Sequence, residues 1–292
     1  METSRDFVRR GPNHGCKGFT LIELLLVIAV IVILASLLFP ALSRAKNRGE
    51  QISCFGNARQ LGLAWIMYAD ENADRLVSNF GATEILQRVA QGEKGNWADS
   101  VLNWELDFGN TNLALNTEAA LGRYLGGSPR LFKCPSDRVV SSLQRSAGWT
   151  ERSRSYSMNA MVGDAGEFTQ GGANVNNPYY HQFLKLSEFK STSSIFVFIE
   201  EHPDSINDGY FLNRANKLEW HDLPASWHNG SANLTFADGH TESRRWINDI
   251  TRRPAQPDGA NLPLTLSYAD SADFKWIIQR TSIIEASTGY SY

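Results

Sequence analysis

The chain lacks the short motifs by which nucleophilic and phosphate-binding catalysts are usually recognised. Its 292 residues hold no G-x-S-x-G elbow, no glycine-rich phosphate loop and no P-loop lysine, so serine-type hydrolysis and nucleotide binding have no support. An excess of one charge is missing too. Twenty-eight basic and 31 acidic residues leave a net charge of −3, which gives no electrostatic case for a nucleic-acid partner. A hydrophobic share of 42 % with 20 % charged residues excludes a disordered chain. Cysteine is scarce: Cys16, Cys54 and Cys134 are the three.

What is present begins near the N-terminus. Leu24 to Phe39 reads LLLVIAVIVILASLLF, without a charge or a strong polar group. With Phe19 to Ile22 added, the run reaches the roughly 20 residues that cross a hydrocarbon core of ~30 Å. A buried helix of a soluble protein would show a polar face every third or fourth residue, and none occurs here. A secretory signal peptide is the nearest competitor. Its apolar region ends at a small-residue cleavage site, whereas Leu37, Leu38 and Phe39 continue beyond Ala35-Ser36. Basic residues lie on both sides, with Arg5, Arg9, Arg10 and Lys17 before the run and Arg44, Lys46 and Arg48 after it. They lean only weakly towards a cytoplasmic N-terminus.

Glu23 separates the two readings. A carboxylate in an apolar span is costly and usually functional; the bland alternative is a side chain reaching the interface without a partner. The stretch Gly18-Phe19-Thr20-Leu21-Ile22-Glu23 resembles the processing site of type IV prepilins and type II secretion pseudopilins. The resemblance implies cleavage after Gly18 by a prepilin peptidase and methylation of the freed Phe19 amine. Glu23, fifth after the cut, is then the assembly carboxylate that pairs with a neighbouring subunit's N-terminus, since two lone charges in lipid are each relieved by pairing. Pro40 falls twenty-second, where that family often carries a helix-kinking proline. Loss of residues 1–18 removes Cys16 and leaves Cys54 and Cys134 as an even pair. An oxidising compartment would let them bridge; two independent buried thiols are the alternative.

Beyond Pro40, which should bend the helix, Cys54, Ala58, Leu61, Trp65 and Tyr68 fall on one helical face. Gly56 and Gly62 lower helix propensity there, or permit close packing against a sheet. The run ends at residues 70–74. The chain therefore divides into a leader (1–18), a transmembrane helix (19–40), an amphipathic extension (41–74) and an exported globular domain (75–292). In that domain Ser194–Glu200 reads as a buried strand. Ala232–Ala237, Asp238-Gly239 and His240–Trp246 read as a hairpin. Residues 161–185, rich in Gly and Asn, read as a surface loop or insertion, and Ser271–Thr281 as a short helix with an N-cap serine. The predicted fold is α+β and pilin-like: a long N-terminal helix packed on a mostly antiparallel sheet.

The hairpin carries a second resemblance. His228, nine residues, then Asp238-Gly239 is similar to the H-x9-DG signature of a group of prepilin-type proteins, the DUF1559-like proteins. Cys54-x-x-Asn57-x-x-Gln60, Cys134-Pro135-Ser136-Asp137 and Ser155-Tyr156-Ser157-Met158-Asn159 resemble its other segments. The resemblance adds little chemistry. His228, Asp238, His240, Glu200, Glu201 and His202 are candidates for a Zn²⁺ cluster. The simpler reading makes Asp238-Gly239 a tight turn latched by a hydrogen bond from His228. Asp204 to Gly209, with Asp204 and Asp208, offers oxygen ligands for Ca²⁺, an ion some pseudopilins bind, but lacks the register of an EF-hand loop. Trp97, Trp104, Trp220, Trp227 and Trp246 suit either a glycan- or peptide-binding surface or the core.

The function expected is that of a non-enzymatic, pseudopilin-like subunit or substrate of a type II secretion or type IV pilus-like system. It requires no cofactor. Its partners are the prepilin peptidase, the lipid bilayer and other pilin-like subunits, with no nucleic acid. It sits in a bacterial inner membrane with the N-terminus cytoplasmic and the globular domain periplasmic or extracellular. The alternative is a tethered module that binds glycan or protein and uses the prepilin route for export alone. An exported metal-dependent enzyme built on His228 and Asp238 ranks last.

Overall fold

The computed structural model describes residues 19–257 and 259–284. The leader, Gly18 included, lies outside the described residues. Helix α1 spans Leu21–Glu71, ending within residues 70–74, where the sequence reading placed its end. Contacts divide the chain into a unit up to Lys46 and a second from Asn47 onward.

In the first unit Leu24, Leu25, Ile31, Ile33, Leu37, Leu38 and Phe39 are all more than half exposed. No core covers them, and water would leave the whole surface unburied at about 25 cal/mol per Å². A hydrocarbon solvent removes that cost while the helix satisfies its own backbone. Among the described residues this helix is the one long and apolar enough to cross a membrane. Pro40 lies inside α1, and helix continues on both sides of it. At the start, Thr20 and Glu23 form a reciprocal capping box. The Thr20 backbone N–H donates to Glu23 Oε2 at 2.9 Å, and the Glu23 N–H donates to Thr20 Oγ1 at 3.2 Å. Two helix-end donors are thereby satisfied.

The second unit is built on a five-stranded sheet. Its strands are β1 (Tyr156–Asn159), β2 (Phe196–Glu200), β3 (Tyr210–Phe211), β4 (Ser231–Phe236) and β5 (Thr241–Arg245). The spatial order is β3-β1-β2-β4-β5. All neighbours are antiparallel except the edge pair β1–β3, which is parallel. β4 is buried at every position because helices and loops cover both faces. β5, at the edge, reads Thr-Glu-Ser-Arg-Arg, and such a charged edge discourages further strand addition. The hairpin turns where Asp238-Gly239 predicts it. Gly239 alone of the two has positive φ, at +84°, the conformation glycine adopts without a Cβ clash.

The C-terminal half of α1 packs on this sheet through Cys54, Ala58, Leu61, Gly62, Ala64, Trp65 and Ala69. Of the predicted stripe Cys54, Ala58, Leu61 and Trp65 are buried, while Tyr68 is half-buried against Tyr124. Gly62 lies against Thr235 of β4, while Thr235 Oγ1 donates to the Ala58 carbonyl at 2.8 Å. Gly56 faces open space, so close packing applies to only one of the two glycines. One core cluster, with Trp65, Trp97, Phe132, Tyr156 and Phe198, lies on the helix side of the sheet. A second, with Phe196, Phe211, Trp220, Trp246 and Phe274, covers the other side.

Three local readings need correction. Residues 161–185 are more than a surface loop: Met161, Val162 and Phe183 are core, and the buried Asn174 and Gln182 side chains bond each other at 2.9 Å. The C-terminal helix spans Ala272–Ile278, but Ser271 makes no side-chain cap bond; its hydroxyl donates to the Tyr268 carbonyl at 2.7 Å. The short amphipathic helix Ala82–Ala90 has no counterpart in the sequence reading.

Candidate functional site

The segments that carry the second resemblance are far apart in sequence, and the fold gathers most of them at one place. Cys54 on α1 is joined to Cys134 by a disulfide, with Cα atoms 5.1 Å apart. Asn57, one turn further on, donates from Nδ2 to the carbonyls of Arg130 and Lys133, both at 3.0 Å, fixing the chain that leads into Cys134. Asp137 accepts from Ser155 Oγ at 2.7 Å and pairs with Lys133 at 3.3 Å. Burial alone would raise the Asp137 pKa, but the Lys133 and Arg152 cations and the Ser155 hydroxyl hold it below the usual range. Tyr156 then donates its phenol to the Cys54 carbonyl at 2.9 Å. Burial, with the negative charge of Glu200 adding to it, pushes the Tyr156 pKa well up, so the phenol keeps its proton. Asn159 Nδ2 donates to the carbonyls of Phe196 and Thr281, both at 2.8 Å.

His228 completes this knot. It stands just before β4, in a turn where Asn229 and Gly230 both have positive φ. Its Nε2 lies 3.6 Å from Cys134 Sγ and 3.5 Å from Glu200 Oε1. Glu200 ends β2 and is fully buried. Its Oε2 accepts the Asn233 backbone N–H at 2.7 Å, whereas Oε1 has no hydrogen-bond donor. Among the described residues, Cys54, Cys134, Glu200 and His228 form the one group of potential metal ligands, with ligand atoms all within 4.8 Å of one another.

The predicted latch is therefore corrected. No hydrogen bond or ion pair joins His228 to Asp238 among the described residues. The six residues of β4, at about 3.3 Å each, hold the two ends of the signature apart. Asp238 instead pairs with His240, Oδ1 to Nδ1 at 2.5 Å, on the exposed turn. The other candidates are occupied separately. Asp208 accepts backbone N–H groups from Ala82 at 2.8 Å and Tyr210 at 3.0 Å. Asp204 accepts from Gln256 N at 2.7 Å and pairs with Arg253 at 3.1 Å. Both carboxylates thus tie loops together. His202 bonds the Arg253 carbonyl at 3.1 Å and stacks on Trp227. Glu201, buried beside Asp208, is raised to about 8 by that burial. Of the five tryptophans named, Trp97, Trp220 and Trp246 are core residues, and Trp104 and Trp227 are half-buried.

A membrane-length apolar helix opening on a capped glutamate defines a membrane-anchored protein with a prepilin-like N-terminus. Residues 13–39 match the model of the prokaryotic N-terminal methylation motif, a motif that implies processing by prepilin peptidase. No curated protein and no solved structure matches the chain. Two features here escaped the sequence reading. Thr20-x-x-Glu23 has the spacing of a capping box and could have been recognised. The convergence of Glu200 and His228 on the cysteines could not, because non-local strand pairing creates it.

Proposed function

We propose that this protein is a pseudopilin-like structural subunit, or a substrate, of a type II secretion or type IV pilus-like machine, without enzymatic activity. The methylation motif over residues 13–39 carries the reading. Cleavage after Gly18 would free the Phe19 amine for methylation, and Glu23 would leave its own cap to meet a neighbouring subunit's amine. Each of these two charges is costly alone in lipid, and pairing relieves both. The disulfide supports a globular domain delivered to an oxidising compartment, hence an N-terminus on the cytoplasmic side and a domain that is periplasmic or extracellular. The spacing from His228 to Asp238-Gly239, with the segments around Cys54, Cys134 and Ser155–Asn159, supports membership of the H-x9-DG group.

The test is mass spectrometry of the protein recovered from bacteria with and without a prepilin peptidase. The expected N-terminus is Phe19 with a methylated amine, and only when the peptidase is present. A chain still beginning at Met1, or starting after the apolar run, would overturn the reading.

A further inference from the structure

The knot around the disulfide has the composition of a metal centre. Two sulfurs, one imidazole nitrogen and one carboxylate oxygen lie within 4.8 Å of one another, and all four residues are buried. A tetrahedral Zn²⁺ with sulfur at about 2.3 Å and nitrogen or oxygen at about 2.0–2.1 Å separates its ligand atoms by roughly 3.3–3.8 Å. His228 Nε2 already stands at such separations, 3.6 Å from Cys134 Sγ and 3.5 Å from Glu200 Oε1. An independent observation points the same way. Glu200 is fully buried, its Oε2 is held by the Asn233 N–H, and its Oε1 faces the cluster with no donor. A buried carboxylate oxygen that accepts no hydrogen bond, with the His228 ring 3.5 Å away, is under-satisfied, and a cation in the centre of the cluster would complete it. The Asn233 bond is the kind of outer contact that aims a carboxylate at a metal.

We propose that Cys54, Cys134, His228 and Glu200 bind one Zn²⁺ when the two cysteines are thiols, and that disulfide formation expels it. In the thiol state Zn²⁺ displaces one proton from each sulfur, and two thiolates, one neutral imidazole and one carboxylate complete a closed four-coordinate site. Oxidation proceeds by exchange with an external disulfide. Its S–S bond breaks, the Cys54–Cys134 bond forms, and the oxidant leaves as two thiolates, which take up two protons from water. The cysteine sulfurs no longer carry negative charge, and the metal departs. Zinc would thus hold α1 against the segment leading into Cys134 before the disulfide takes over the same task.

Full-length protein in detergent tests this. One portion keeps its disulfide. The other is reduced with a phosphine, which with water becomes phosphine oxide as the disulfide gains two protons. Both receive Zn²⁺ and pass through a desalting column before metal and free thiol are measured. The reduced chain should retain about one zinc per chain, at least tenfold more than the disulfide form. Co²⁺ in its place should show thiolate-to-metal absorption in the near ultraviolet. Glu200→Gln and His228→Gln should lower retention by about tenfold or more. Equal zinc in the reduced and disulfide forms, or undiminished zinc in both variants, would overturn the proposal. If a variant loses its cooperative melt in the disulfide form, the wild-type pair of measurements still decides.

Discussion

Gly62 and Thr235 are set so close that a Cβ on the glycine would overlap the threonine methyl. This contact, with the bond from Thr235 Oγ1 to the Ala58 carbonyl, fixes α1 on β4, the neighbour of the central strand. Gly62→Ala gains helix propensity of about 1 kcal/mol but overpacks a closed interface, at a cost of about 1–3 kcal/mol. Gly56 meets nothing within 4 Å, so Gly56→Ala gains the propensity alone. Urea unfolding should show Gly62→Ala less stable and Gly56→Ala more stable than wild type. The same sign for both would mean that α1 does not seat on β4 at Gly62.

The disulfide closes a loop across a sequence separation of 80. Chain-entropy reasoning assigns such a loop roughly 4.5 kcal/mol, a large part of the total for a domain of this size. Cys54→Ser with Cys134→Ser, compared with wild type in a metal chelator, should lose about that much in denaturant unfolding. A loss below ~1 kcal/mol would show that packing around Tyr156 and Asn57 holds the knot without the bridge.

These two contacts also show what was legible in the sequence. The helix stripe and the Asp238-Gly239 hairpin could be read because each depends on residues a few positions apart, where periodicity and turn chemistry operate. His228 could not be placed the same way. Its neighbours, Cys134 and Glu200, come from a loop and from β2. The pairing of β2 with β4 brings Glu200 within reach, and the bridge to Cys54 on α1 places Cys134. Spacing along the chain suggested Asp238, but an intervening strand acts as a spacer. The tryptophans were readable as core or surface, and their burial depends on which face each strand presents.

Asp99 gives the domain a pH dependence. Burial raises its pKa to about 7, against a weaker lowering by the Asn96 backbone and Lys94. The native state therefore holds a proton that the unfolded chain gives up near pH 4. Stability is fullest below that value and falls as pH rises towards about 7. Glu201, raised to about 8, acts in the same direction. Urea midpoints should be higher at pH 5 than at pH 8, and Asp99→Asn should remove part of the difference, leaving the share of Glu201, Asp208 and Asp222, whose pKa values burial also raises. An unchanged pH slope in Asp99→Asn would show that its carboxyl is ionised in the native state.

Glu23 has two roles that can be separated by charge. As the partner of Thr20 it caps α1, a role glutamine fills nearly as well because the box needs only an acceptor at that position. As an assembly carboxylate it must be negative, and glutamine cannot supply that. Glu23→Gln should therefore retain helix content, membrane insertion and cleavage after Gly18, yet fail to co-purify with or enter pilus-like assemblies in cells. Glu23→Ala should fail in the same way and also lose a capping contribution of about 1 kcal/mol, visible as fraying of the first turn by hydrogen exchange in detergent. If Glu23→Gln assembles as wild type does, the carboxylate serves the helix end alone. The apolar helix would then be an anchor for an exported binding module, with no pairing between subunits.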